Sequence, residues 1–471
     1  MGEARIGLVG LAVMGANLAL NIAENGFPVA VYNRTTERVD EFMDGAGDLA
    51  KNLVPCKSPE QLVASLSKPR AIIIMVQAGA PVDAVIEQLK PMLDPGDMII
   101  DAGNANFNDT RRREAALRAE GLSFIGMGVS GGEVGARFGP SIMVGGKTES
   151  FDVISDIINA ISAKFEGDPC AAHLGPDGAG HFVKTVHNGI EYADMQMIAE
   201  VYGILRDGEG RSEADMSALF GKWNEGPLKS YLVEISAAAL GTADPVTGKP
   251  IVEMIVDRAG QKGTGRWTVI EALSLGQSAS TIEAAVGARS WSAVKDARIA
   301  GQDILNAATS SAGSAPMLSD DDLEAALLAA KIIAYSQGFS LLAAASEEFD
   351  WSLDMGRIAE IWREGCIIRS AMLDDMAAAA RAGMPHGQLI FAPDFAEKLN
   401  GASDALRRVV AHAALKGLPV PAFSAALAYF DTMRTGRGTT DLIQAQRDFF
   451  GAHGFERTDG GSGHHGPWAM G

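Results

Sequence analysis

Residues 5–15, Arg5-Ile6-Gly7-Leu8-Val9-Gly10-Leu11-Ala12-Val13-Met14-Gly15, decide the fold class. The apolar run Ile6 to Val9 reads as a short strand, and Gly10 to Gly15 reads as a tight turn opening a helix. A dinucleotide pyrophosphate meets free backbone N–H groups and the positive end of a helix at such a turn. Gly10, Ala12, Val13, Met14 and Gly15 are therefore candidate cofactor contacts, although Ala12 stands where the G-x-G-x-x-G fingerprint has its middle glycine.

Outward from this turn, further β-branched runs (Val29 to Tyr32, Ile72 to Val76, Met98 to Asp101, Ser123 to Gly126) alternate with helix-like segments. The pattern predicts a parallel sheet covered by helices, an α/β Rossmann-like nucleotide domain over 1–177. The second strand ends in Asn33-Arg34-Thr35-Thr36, about 20 residues after the glycine turn, where an NAD site places a carboxylate against the ribose. A guanidinium with neighbouring hydroxyls binds a 2′-phosphate instead, so NADP is the expected cofactor. In isolation Arg34 reads as a solvated surface arginine; its position gives it meaning. Val76, Gln77 and Ala78, after the third strand, and Asn104, after the fourth, complete the candidate cofactor set.

Past Pro176-Asp177-Gly178 the strand pattern stops, and Ala/Leu/Met-rich stretches with helical spacing predict a large all-α domain over 178–433. Residues 434–471, with Gly436, Gly438 and Gly460-Gly461-Ser462-Gly463, read as an extended C-terminal tail. Two or more domains are expected from 471 residues. A net charge of −19 disfavours binding along nucleic acid, although a local basic pocket can hold one small anion. Three cysteines (56, 170, 366) without C-x-x-C spacing read as free thiols in a reducing compartment, and neither a metal nor a disulfide is expected. The first residues lack a signal pattern, Ile6 disqualifies myristoylation of Gly2, and no run reaches the roughly 18 apolar residues of a membrane span. A cytoplasmic location is the expectation.

Two motifs invite other readings. Gly128-Val129-Ser130-Gly131-Gly132 matches the G-x-S-x-G elbow of a hydrolase. An elbow must enter a helix at once, whereas Glu133 to Pro140 contains Gly135, Gly139 and Pro140 ahead of a strand at Ser141 to Val144, so no helix is expected and Ser130 reads as a hydrogen-bond donor. Gly146-Lys147-Thr148 resembles the end of a phosphate loop, but Ser141 stands where the first glycine is required.

The chemistry-bearing stretch is Ala179 to Asp207. Lys184, His187, Asn188 and Glu191 fall at i, i+3, i+4 and i+7, on one helix face within about two turns. The plain alternative is a solvated polar stripe. A weak internal repeat at an offset of 139 residues argues against it, pairing Asp215-Met216 with Asp354-Met355, Trp223 with Trp362 and Glu225-Gly226 with Glu364-Gly365. Chance similarity of two Ala-rich stretches is the competing account. At the same offset the four polar residues meet Leu323, Ala326, Leu327 and Ala330, so the face is core in the second copy. Leaving polar groups there unsatisfied would cost about 1–3 kcal/mol each, unless a cleft or ligand supplies partners.

The stretches VSGGEVGARFGPS, DGAGHFVKTVHNGIEYADMQ, AGQKGTGRWT and RDFFGAHGFER closely resemble the decarboxylating 6-phosphogluconate dehydrogenases of the long-chain, dimeric type, and the resemblance spans essentially the whole chain. It implies NADP-linked oxidation of 6-phosphogluconate at C3 and loss of CO2 to give ribulose 5-phosphate, within the pentose phosphate pathway and gluconate utilisation. It implies that Lys184 is the base and Glu191 the acid. His187, Asn188, Asn104 and Ser130-Gly131-Gly132 would orient the carboxylate and hydroxyls. Tyr192, Lys262, Thr264, Arg289 and Arg447 would hold the phosphate, with Arg447 and His453 reaching the other subunit of a homodimer. Ala102, Ala105, Val134 and Gln77 depart from the family pattern, and Gln77 replaces a cation near the cofactor. Two rival readings remain: a plain β-hydroxyacid dehydrogenase that stops at the ketone, and a nucleotide-binding regulatory protein without turnover.

Overall fold

The computed structural model describes residues 4–260, 263–305 and 317–468. Its first part holds β1 (Ile6–Val9), β2 (Val29–Tyr32), β3 (Leu53–Cys56), β4 (Ala71–Ile74), β5 (Met98–Asp101), β6 (Ser123–Val129), β7 (Ile142–Gly145), the small hairpin β8 (Lys164–Phe165) and β9 (Asp168–Pro169), and β10 (Ala171–Gly175). Eight of these form one sheet in the order β10-β7-β6-β5-β4-β1-β2-β3, parallel except where β7 runs against β6. The central strands read as unbroken apolar runs because both faces are covered. Ile73 and Ile100 enter one core with Leu18 and Ile22, while Ile72, Ile74 and Ile99 enter the other with Leu62 and Ile86. The chain order reverses between β1 and β4, which opens a crevice at their carboxyl ends.

After β10 the chain enters a helix of 25 residues, Ala179–Gly203, and the rest of the described chain is mainly helical. The repeat has a structural counterpart. Ala179–Gly203 is followed by helices Glu213–Trp223 and Tyr231–Leu240, and Asp320–Glu348 by Met355–Ile361 and Met372–Ala382. Trp223 and Trp362 are both buried, each with an unpartnered indole N–H. The copies join at near-equivalent backbone: the Tyr231 N–H donates to Arg369 O (3.1 Å) and the Ala371 N–H to Lys229 O (2.9 Å).

The two long helices pack on each other, with Lys331 Nζ donating to Asp194 Oδ2 at 2.8 Å in the buried seam. Asp320–Glu348 is long and apolar enough to cross a membrane, but 89% of its most apolar window is buried inside the protein. It is the core helix of the second copy.

Two sequence expectations are corrected. A helix, Gly132–Phe138, does follow Ser130: Gly131 (φ 90°) caps it, and helical geometry accommodates Gly135, which the glycine count had weighed against it. The tail is not simply extended, since Thr440–Gly451 is a helix stitched to the chain beyond it. The Asp448 carboxylate accepts from the Gly454 and Gly466 N–H groups, His465 Nδ1 and Trp468 Nε1 at 2.6–2.9 Å. These donors, led by the Gly466 N–H, hold Asp448 well below the usual carboxylate range.

Candidate active site

Lys184 lies where the Ala179–Gly203 helix runs over the ends of β6 and β7, and glycines permit that approach. A Cβ on Gly180 would stand 2.5 Å from Met143 O and 2.6 Å from Gly126 O, and one on Gly128 would stand 2.5 Å from Lys184 Cβ. Any side chain at these positions would lift the helix off the sheet. Ser130, immediately past β6, is thereby brought against the helix face.

The polar face forms one cluster. Lys184 Nζ donates to Asn188 Oδ1 (2.8 Å) and Ser130 Oγ (3.0 Å) and lies 3.4 Å from His187 Nδ1. His187 Nδ1 is 3.1 Å from Asn188 Oδ1, and His187 Nε2 is 3.3 Å from Ser130 Oγ. Ser130 Oγ thus accepts from the lysine, and its own O–H can donate to His187 Nε2. Lys184, His187, Asn188 and Ser130 are all buried, whereas the Glu191 side chain is 20% exposed and its carboxylate lies 3.9 Å from His187 Nδ1.

Burial lowers the Lys184 ammonium pKa, opposed in part by the Glu191 charge. Burial raises the Glu191 carboxyl, opposed by Lys184 and Arg289. Burial, and then Lys184, push His187 well below its ordinary value. All three groups are driven toward their neutral forms, which suits a base and an acid awaiting substrate.

One turn on, the Arg289 guanidinium stacks over the Tyr192 ring at 3.5 Å. Thr264 opens helix Thr264–Ser274 after Gly263 (φ 97°), whose first turn has no side-chain cap. A Cβ on Gly265 would stand 2.5 Å from the Tyr192 ring, so this helix end is in contact with Tyr192. Tyr192, Thr264 and Arg289 therefore gather with uncapped backbone N–H groups, a set suited to a phosphate. Lys262 lies outside the described residues. Arg447 is exposed and donates to Gln444 Oε1 (2.8 Å), and His453 stands edge-on to Phe450, so within one chain neither bonds the Lys184 cluster.

The nucleotide crevice fits a dinucleotide. A Cβ on Gly10 (φ 104°) would stand 2.4 Å from Met75 O, and one on Gly15 would stand 1.9 Å from Gly10 O, so backbone alone fits this cradle. Ala12 leaves the first turn of helix Val13–Glu24, which includes Met14, without a side-chain cap. Asn33 Oδ1 accepts the Leu11 N–H at 3.0 Å and ties the turn to the end of β2. Arg34 and Thr35 are exposed beside it. Val76, Gln77 and Ala78 follow β4, and Asn104 is exposed after β5, with the two loops touching where a Cβ on Gly103 would stand 3.2 Å from Val76 O. Among the described residues no His, Cys, Asp or Glu cluster could hold a metal ion.

Sequence reasoning missed Gly128 and Gly180, which seat the helix, and Trp362, whose ring meets His187 edge-on at 5.5 Å. The tryptophan pairing in the repeat was the available signal for Trp362. The glycines acquire meaning only once helix and strand are placed together.

Two family models match the chain: the NAD binding domain of 6-phosphogluconate dehydrogenase over residues 5–175, and the 6-phosphogluconate dehydrogenase C-terminal domain over 180–468. The chain is 49% identical to the decarboxylating 6-phosphogluconate dehydrogenase of Synechococcus elongatus, covering 99% of this chain and 100% of that one. It is 47% identical to the NADP(+)-dependent, decarboxylating enzyme of Bacillus subtilis, covering 98% of each. The Plasmodium falciparum 6-phosphogluconate dehydrogenase, whose structure is described in apo form and in complex with NADP+ and with 6-phosphogluconate, superposes with a TM-score of 0.94 at 41% identity, over 98% of this chain and 100% of that chain.

Proposed function

This chain belongs to the 6-phosphogluconate dehydrogenase family, and from that membership and the geometry around Lys184 we infer an NADP-dependent oxidative decarboxylation of 6-phosphogluconate to ribulose 5-phosphate, CO2 and NADPH. The observation that carries the reading is Lys184: a buried lysine whose Nζ is bonded to neutral oxygens of Ser130 and Asn188 rather than to a carboxylate. Such a lysine can be neutral when substrate arrives.

When bound, NADP supplies the acceptor for the hydride leaving C3. Lys184 takes the C3 hydroxyl proton as that hydride departs. The resulting ketone lies β to the carboxylate, so CO2 leaves and its bonding electrons flow into the carbonyl. The Lys184 ammonium returns its proton to the developing enolate oxygen, the charge that most needs stabilising. Glu191 then protonates C1 of the enediol while the enol proton goes back to Lys184, giving the ketose. This leaves a lysinium and a carboxylate where both groups began neutral, so one proton passes between them before the next turnover. His187, Asn188, Asn104 and Ser130-Gly131-Gly132 orient the carboxylate and hydroxyls, and Tyr192, Lys262, Thr264 and Arg289 receive the phosphate.

We further propose that the nucleotide domain spans 1–177 and the helical domain 178–433. The tail beyond 434 presents Arg447 and His453 to a second copy in a homodimer. Exposed Leu442, Phe449 and Phe450 on the terminal helix support that docking, because apolar side chains of this size are normally covered. We propose the pentose phosphate pathway and the cytoplasm as its setting. A steady-state assay with 6-phosphogluconate and either NADP or NAD, measuring CO2 beside reduced nicotinamide, tests the function. Equimolar CO2 and NADPH are expected, and reduced cofactor without CO2 would leave only a β-hydroxyacid dehydrogenase.

A further inference from the structure

Arg113 is a buried guanidinium that the reaction does not use. It lies on helix Phe107–Ala119, is 2% exposed, and spends all three nitrogens on two other segments of the chain. Nε donates to Asp83 Oδ1 (2.8 Å), and Nη2 donates to Asp83 Oδ2 (3.1 Å) and to Gly79 O (3.0 Å). Nη1 donates to Asp101 Oδ2 (3.2 Å), whose other oxygen accepts the Gly103 N–H at 3.1 Å. One side of the fork therefore grips the segment that follows Val76-Gln77-Ala78, and the other grips the segment that leads into Asn104. The same helix face continues to the catalytic helix: Thr110 Oγ1, one turn before Arg113, is 2.8 Å from Nδ1 of His181, one turn before Lys184.

The Arg113–Asp101 pair is deeply buried and contributes little net stability, because desolvation offsets its attraction, and the pair with the partly exposed Asp83 is screened by solvent. A planar fork with fixed donor directions does set geometry. We propose that Arg113 is a positioning residue that fixes the separation of the 76–79 and 101–104 loops, and through them the fit of NADP against the Lys184 helix. The proposal rests on the reading that these loops hold the cofactor.

The test is the dissociation constant of NADP for the full-length protein, titrated by tryptophan fluorescence without substrate. The same titration with 6-phosphogluconate and thermal unfolding accompany it. Arg113→Lys keeps the charge but not the fork, and is expected to weaken NADP at least ten-fold and 6-phosphogluconate, which meets these loops through Asn104, by a smaller factor. Asp83→Asn loosens only one side and is expected to weaken NADP by a smaller factor of two to five. If Arg113→Lys does not fold, this second variant decides the matter. An unchanged NADP constant, with only the unfolding temperature lowered, overturns the proposal and leaves Arg113 structural. Gln77→Ala and Asn104→Ala separate the two ways of failing. If neither moves the NADP constant, the loops do not hold the cofactor and the proposal falls with that reading. If they move it and the Arg113 and Asp83 variants do not, the positioning role alone is wrong.

Discussion

The two long helices, Ala179–Gly203 and Asp320–Glu348, occupy equivalent places in a repeated unit and have taken opposite uses of the same face. In the second copy Leu323, Ala326, Leu327 and Ala330 are fully buried, and each leucine contributes about 1.5–3 kcal/mol by leaving water. In the first copy Lys184, His187 and Asn188 are buried as deeply in effect but satisfy one another and Ser130. A polar cluster tolerates such a position when every member has a partner. The fold needs only one apolar face of this pair, which frees the other for chemistry.

The contrast can be attacked in order of expected effect. Lys184→Met should lower kcat by about a thousand-fold or more, the upper part of the range for general acid–base groups, with NADP binding within a few-fold. Rates near those of the parent enzyme would remove Lys184 as the base. Glu191→Gln should cost about a hundred-fold and change the shape of the pH profile. In the proposed mechanism the parent needs a neutral lysine and a protonated carboxyl, so activity should rise as Lys184 loses its proton and fall as Glu191 loses its own. The glutamine variant should keep the rise and lose the fall at high pH. A surviving alkaline limb would assign that limb to another group.

Leu327→Asn places an amide without partners in the core and should cost about 2–4 kcal/mol of stability, read by denaturant unfolding. Its counterpart Asn188→Leu takes a partner from Lys184 Nζ and His187 Nδ1, and should cost activity together with a smaller stability loss of about 1 kcal/mol. Equal destabilisation by both would show that the polar cluster is structural rather than poised. The smallest effect lies outside both helices. Arg34→Glu should raise the KM for NADP about ten-fold while sparing NAD, and equal losses would show that Arg34 does not read the 2′-phosphate.

The central strands were legible because unbroken runs such as Ile72-Ile73-Ile74 have few other uses. The edge strands were not. β3 contains Pro55, which an edge position tolerates, and β10 is Ala-Ala-His-Leu-Gly, with no β-branched residue at all. The helix at Gly132–Phe138 was missed because glycine content was read as a breaker, although Gly135 lies inside it, where a Cβ would stand 3.0 Å from Ser130 O. The Lys184 face was legible from spacing, and its meaning came from the unequal repeat. The grouping of Tyr192, Thr264 and Arg289 came only through the resemblance, since long-range ring stacking leaves no local pattern.

The paired tryptophans give the chain an optical gauge of its own. Trp362 meets His187 edge-on at 5.5 Å, while Trp223, its counterpart in the other copy, meets Phe220 at 5.2 Å. A charge arising on the imidazole, or a ligand displacing it, alters the emission of the first indole and leaves the second as an internal reference. Single-tryptophan variants retaining one or the other would let events at the active site be followed by light, separately from the unfolding of the fold that carries it.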